Sequence, residues 1–196
     1  MKRIAIFASG RGSNARRLVE HFADSKTAEI ALIASNKETA PVLDMALEKG
    51  IAQLFFDKKK FIHPESVLWE LETMKIDFIV LAGFLWLFPK VIIDKFSKKI
   101  INLHPALLPK YGGKGMYGMR VHEAVHAANE TETGITIHYV NERYDEGDII
   151  FQAKCPVEKT DTPQDIAQKI HELEHKHLPI ITEKLVCENR EERQEM

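Results

Sequence analysis

The chain has 196 residues, 44% hydrophobic and 29% charged, which is the composition of an ordinary globular protein long enough to bury a core of its own. A formal net charge of -2 removes the electrostatic case for nucleic acid as a main partner. Cys155 and Cys187 lie far apart without CxxC spacing, which argues against a disulfide scaffold and a zinc site and fits a reducing cytoplasm.

Met1-Lys2-Arg3 precedes a short apolar run that ends at Ser9, too short for a signal sequence or a bilayer span. The expectation is a cytoplasmic protein with no membrane partner. Residues 3–8 read as a fully buried strand. Ser9-Gly10-Arg11-Gly12-Ser13-Asn14 follows, then a helical stretch with Leu18, Val19 and Phe22 on one face. Glycines let backbone approach a ligand, and the free N–H groups of a helix start suit a phosphate. Ser13 and Asn14 can add side-chain hydrogen bonds there. Gly10-x-Gly12-x-x-Ala15 nominally fits the dinucleotide fingerprint. The second strand, about 29–34, ends in Ser35-Asn36-Lys37 and offers no acid for a ribose, which speaks against NAD or FAD.

Residues 41–49 read as a helix with Pro41 in its first turn and Gly50 just past its end. Ile51 to Phe56 is a third strand, Asp57 to Lys60 a charged turn, Pro64 to Met74 a helix and Asp77 to Ala82 another buried strand. This alternation predicts a mainly parallel, Rossmann-like α/β sheet with helices on both faces, binding ligands at the strands' carboxyl ends. Gly83 to Pro89 is unusually aromatic for a turn and reads as an apolar wall for a flat heterocycle, or as a loop that covers core.

Residues 90–97 form a short helix, and Lys99 to Leu103 a strand that delivers Asn102 and His104. With one residue between them, both side chains point to the same face of the strand. An amide and an imidazole so placed can polarise a carbonyl and move a proton. Four glycines between 112 and 118 make the next segment a loop, followed by a helix over Arg120 to Ala128. Thr133 to Val140 and Ile149 to Val157 read as an antiparallel hairpin added to the sheet, joined through the turn Asp145-Glu146-Gly147-Asp148. Thr162-Pro163 opens a long helix to about residue 185. The expected organisation is one domain over 1–187 and a charged tail over 188–196. His171 and His175 share a helix face, but nothing completes a convincing metal set, and no metal is expected.

Three segments now match one family in order: Gly10-Arg11-Gly12-Ser13-Asn14, Asn102-Leu103-His104-Pro105-Ala106-Leu107-Leu108-Pro109, and Gly134 to Val140 running into Tyr144-Asp145-Glu146-Gly147-Asp148-Ile149-Ile150. Together they resemble the folate-dependent formyltransferases, and within them the members that act in purine biosynthesis. The resemblance implies transfer of the formyl group of 10-formyltetrahydrofolate to the amine of glycinamide ribonucleotide, by direct attack through a tetrahedral intermediate and without a metal. It implies Asn102, His104 and Asp145 as the catalytic trio. It implies Gly12, Ser13, Asn14 and Glu174 at the ribonucleotide, and Leu85, Trp86, Leu87, Phe88 and Asn102 at the folate, with backbone of the 141–145 loop on the pterin. Its partners are these two small molecules, and both a monomer and a homodimer stay open.

Two departures from the family pattern stand out. Trp86 occupies a place where relatives often carry arginine, and the stretch from Tyr111 to Val121 is longer and richer in glycine, although His122 falls where the family's histidine stands. The chemistry asks for a donor to the oxyanion, which Asn102 supplies, and for a proton shuttle to N10 of the folate, which suits His104. A buried carboxylate beside His104 is expected to favour its imidazolium form. Alternatives are a formyltetrahydrofolate hydrolase, a tRNA formyltransferase-like enzyme, or a non-catalytic nucleotide-binding module. The first two carry an extra domain for which this length leaves no room.

Overall fold

The computed structural model describes residues 1–191, with side chains through Glu188; the rest of the expected tail lies outside the described residues. The strands are β1 (Lys2–Phe7), β2 (Ala28–Ser35), β3 (Ala52–Phe55), β4 (Phe78–Leu81), β5 (Ile100–His104), β6 (Glu132–Tyr139) and β7 (Ile149–Pro156). The helices are α1 (Ser13–Phe22), α2 (Pro41–Glu48), α3 (Lys58–Ile62), α4 (Glu65–Thr73), α5 (Lys90–Lys95), α6 (Met119–Ala127) and α7 (Pro163–Glu191). They build a seven-stranded sheet in the order β3-β2-β1-β4-β5-β6-β7. β1 to β5 are parallel, and β6 and β7 continue the sheet antiparallel, as the hairpin reading requires.

Strand alternation sorts the core into two layers. Ile4, Ile6, Phe78, Val80, Ile101 and Leu103 pack on the side of α1, α2, α6 and α7. Ala5, Phe7, Ile79, Leu81 and Ile100 pack on the side of α3, α4 and α5. Near-continuous apolar strands are what a sheet covered on both faces demands. The order of strands reverses between β1 and β4, so the carboxyl ends of these two neighbours open a crevice. Two hydrogen bonds tie its rims: Ser9 N–H donates to the Gly83 carbonyl at 3.1 Å, and Leu85 N–H donates to Ser9 Oγ at 3.1 Å.

One expected turn is a helix. Asp57 sits at the N-cap of α3 and accepts from Lys60 N–H at 2.8 Å, which converts the lysine run into a helical turn closed by buried Phe61. The long last helix also passes its expected end near 185, running to Glu191. Its start carries a reciprocal cap: Thr162 N–H donates to Asp165 Oδ2 at 2.8 Å, and Asp165 N–H to Thr162 Oγ1 at 3.2 Å. Among the described residues, no helix is long and apolar enough to cross a membrane.

Gly134 marks a close approach of the two strands of the hairpin. A Cβ there would land on the Ala153 carbonyl oxygen and lie 2.7 Å from Leu107 Cδ2. Gly134→Ala should therefore lower the free energy of unfolding by about 2 kcal/mol, read from the urea midpoint. An unchanged midpoint would contradict this packing.

Candidate active site

Gly12 turns the chain from β1 into α1 with φ of 73°, and a Cβ there would collide with the side chain of Val42. A glycine is therefore needed twice over, for its left-handed backbone and for the space. The turn presents Ser13 and Asn14 at the N-terminus of α1. Asn14 Nδ2 donates to Glu174 Oε2 on α7 at 3.0 Å, and His171 Nδ1 donates to the same oxygen at 2.9 Å. Glu174 is 5% exposed, so its charge is stabilised chiefly by these two donors. The Glu174 hydrogen bond raises the pKa of His171 against its partial burial. His175 stacks on His171 with ring centroids 6.2 Å apart. Burial lowers its pKa, and Arg17 adds to that.

A cavity of about 790 Å³ runs from this corner to the end of β5. Gly12, Ser13, Asn14, His122 and Glu174 line one end, and Leu85, Asn102, His104 and Asp145 the other. A smaller groove of about 50 Å³ adjoins it, lined by Trp86, Leu87, Phe88 and Arg143 and sharing Phe84, Asn102, Tyr144 and Asp145. The expected folate wall is thus split: Leu85 faces the main cavity, while Trp86 and Leu87 border the groove. Phe88 is 3% exposed and sits among aromatic rings, with centroids 5.0 Å from Phe7 and 5.8 Å from Phe61. Its larger role is therefore in the core. Leu87 N–H donates to Tyr144 Oη at 3.1 Å, which joins the aromatic turn to the 141–145 loop.

The three side chains expected to work together converge. Ile101 and Leu103 enter the core on the side of α1 and α7, which leaves Asn102 and His104 on the opposite face of β5. Asp145 follows β6 with φ of 57° and reaches both. Asn102 Nδ2 donates to Asp145 Oδ1 at 3.3 Å, and His104 Nδ1 lies 3.5 Å from Asp145 Oδ2. Asn102 pairs across the ladder with His138, whose Nε2 lies 3.1 Å from Asn102 Nδ2 and 3.6 Å from Asp145 Oδ1. His138 Nδ1 is 2.8 Å from the Tyr139 carbonyl. A carbonyl only accepts, so Nδ1 carries a hydrogen, and Nε2 faces the Asn102 amide and the Asp145 carboxylate. His138 is thereby a partner of the amide rather than a plain sheet residue.

The glycine-rich loop packs into the site instead of merely bordering it. His104 Nε2 donates to the Tyr111 carbonyl at 2.8 Å, and Gly113 N–H donates to Asp145 Oδ2 at 2.9 Å. Lys114 to Gly118 line the cavity next to them. No side-chain pattern could have announced these two contacts, because both are made by backbone.

One expectation about charge is reversed. Burial lowers the pKa of His104, and it outweighs the nearby charge of Asp145 and the Tyr111 carbonyl, which raise it. Nε2 carries a hydrogen, which it donates to the Tyr111 carbonyl. Burial pushes Asp145 upward, but the His138 interaction, the charge of His104 and the Gly113 N–H bring it below the ordinary carboxylate value. Among the described residues no group of three metal-ligating side chains gathers.

Residues 2–182 match the family model described as formyl transferase. The chain belongs to the formyl transferase family. This family member is 39% identical over 195 residues to an Arabidopsis thaliana protein named phosphoribosylglycinamide formyltransferase, chloroplastic; the match covers 96% of this chain and 66% of that protein. It is 34% identical over 191 residues to the Bacillus subtilis phosphoribosylglycinamide formyltransferase, covering 95% of each. The crystal structure of phosphoribosylglycinamide formyltransferase from Bacillus halodurans superposes with a TM-score of 0.86 at 34% identity, over 94% of this chain and 95% of that one. The chain thus spans about two thirds of the plant relative's length and nearly all of the two Bacillus proteins.

Stability should carry the signature of His104. In an unfolded chain a histidine titrates near about 6.5, whereas burial holds His104 lower in the fold. As pH falls through that window the unfolded chain takes the proton first, so stability declines toward acid. His171, with its pKa raised, acts in the opposite sense. The wild-type urea midpoint should therefore drop more steeply from pH ~7.5 to ~5.5 than that of His104→Gln. Parallel curves would contradict the assignment.

Proposed function

We propose that this chain transfers the formyl group of 10-formyltetrahydrofolate to the amine of glycinamide ribonucleotide. The observation that carries the reading is the meeting of Asn102, His104 and Asp145 at 3.3 and 3.5 Å between two unlike subsites. On one side stands a glycine turn with free N–H groups at the start of α1, beside a buried carboxylate. That chemistry suits a phosphate and a ribose. On the other side Leu85 lines the main cavity and Trp86 and Leu87 border the groove beside it, next to the 141–145 loop, and this end of the cavity is the one assigned to the folate. The names of the relatives support a formyl group as what is transferred and a phosphoribosylglycinamide as its acceptor.

The roles follow from the hydrogen bonds. The amine attacks the formyl carbon, and negative charge develops on the formyl oxygen. Asn102 spends one amide hydrogen on His138 at 3.1 Å and the other on Asp145 at 3.3 Å. The second, longer contact is the one that turns to the oxyanion. His104 takes a proton on Nδ1, where Asp145 stabilises the imidazolium, and releases it to N10 as the C–N10 bond breaks. The Tyr111 carbonyl keeps the ring oriented throughout. No covalent intermediate and no metal is required. The cytoplasmic location and the two small-molecule partners belong to this proposal.

The direct test incubates the protein with both substrates and follows loss of the formyl group from folate; no turnover would sink the reading. Formate released without the ribonucleotide would mark a hydrolase instead. Asn102→Ala should retain the fold and lose about 10²–10³ in kcat. A rate close to wild type would remove Asn102 from the mechanism.

A further inference from the structure

His122 on α6 is 3% exposed, yet its Nδ1 is buried without a hydrogen-bond partner. Leaving such a group unmatched is costly, and folds avoid it where nothing is gained. The ring lines the same cavity as Asn14, Glu174, Asn102 and His104. The charged and titratable groups that act on it are Glu174 and His171 from α7 and His104 from β5. His122 therefore shares one cavity with the ribonucleotide corner and the catalytic trio. Asn14 Oδ1, on the same wall, is also buried and unpartnered.

We infer that His122 binds the glycinamide arm of the substrate and accepts the proton that its amine loses on attack. The inference rests on the function proposed above. If Glu174 and the glycine turn hold the ribonucleotide, and Asn102 and His104 hold the formyl group, the arm joining ribose to amine must cross the space between them. His122 is the imidazole on that path. Burial lowers its pKa, so the ring is neutral and basic where the amine arrives. His104 is assigned the other proton, the one that N10 receives, so the proton of the amine calls for a second base.

The step balances. The amine lone pair forms the new C–N bond, and the carbonyl π pair moves to oxygen. The proton of the resulting ammonium goes to His122. The oxygen pair then rebuilds the carbonyl, the C–N10 bond breaks with its pair on N10, and His104, protonated on Nδ1 before the cycle begins, gives that proton to N10. Return of the proton from His122 to His104 resets both rings.

The test compares wild type, His122→Gln and His122→Ala in steady-state formyl transfer from pH ~5.5 to ~8.5. The two replacements differ in size, so poor folding of one leaves the other to decide. The expected result is a fall in kcat of about 10²-fold or more in each, with the KM for the folate unchanged. The acid limb that His122 contributes to kcat/KM for the ribonucleotide should vanish in both, and added imidazole should restore part of the activity of His122→Ala. A wild-type rate and pH profile in His122→Gln would overturn the inference. A loss of rate with the acid limb intact and no imidazole rescue would overturn it too, by showing a structural role alone. Wild-type protein that transfers no formyl group would instead overturn the function on which it rests.

Discussion

The carboxylate of Asp145 meets four partners drawn from three other segments of the chain. Gly113 N–H lies at 2.9 Å, Asn102 Nδ2 at 3.3 Å, His104 Nδ1 at 3.5 Å and His138 Nε2 at 3.6 Å. A half-buried charge is costly unless polar groups replace the water it gives up. Here the replacement is shared between β5, β6 and the glycine-rich loop. Each segment is therefore held where the carboxylate needs it, and moving any one changes the environment of the others. Gly147 belongs to the same arrangement. A Cβ at that position would strike the Tyr139 carbonyl, the group that sets the tautomer of His138.

The strand order places this carboxylate next to a crevice with two different chemistries. At the β1 end, backbone N–H groups and a buried acid offer polarity. At the β4 end, Phe84 and Trp86 belong to an aromatic cluster that extends through Phe61 and Phe56 into the core. The two ends are joined by Ser9, whose backbone and hydroxyl bind the start of the aromatic turn. A parallel sheet whose strand order reverses between two neighbours supplies such a junction without any special residue. The specific residues then decide what each side accepts.

Much of this architecture was legible from residue patterns. Continuous apolar runs marked the buried strands, Gly10 to Asn14 marked the first turn, and the alternation after Thr133 marked the hairpin. The i, i+2 spacing of Asn102 and His104 correctly put them on one face. Other features depend on tertiary geometry. The pairing of Asn102 with His138 is a matter of ladder register, which neither strand carries alone. The protonation of His104 turns on a contest between burial and a neighbouring charge, and burial cannot be read along the chain. The Tyr111 carbonyl and the Gly113 N–H are backbone groups that any residue could supply. The short helix α3 was hidden because three consecutive lysines look like a solvated turn, while the decisive signal was the capping role of Asp57.

The contact between Asn14 and Glu174 joins positions 160 residues apart. Synthesis on the ribosome is directional, and elements that emerge early fold before those that follow. Within this span the first wall of the polar corner is translated well before the helix that faces it. The corner is thus closed by α7, which is translated after every strand of the sheet. A nascent chain can hold its strands in order and still lack the pocket beside Ser13 and Asn14, which makes docking of α7 the event that matures the protein from a sheet into a binding site.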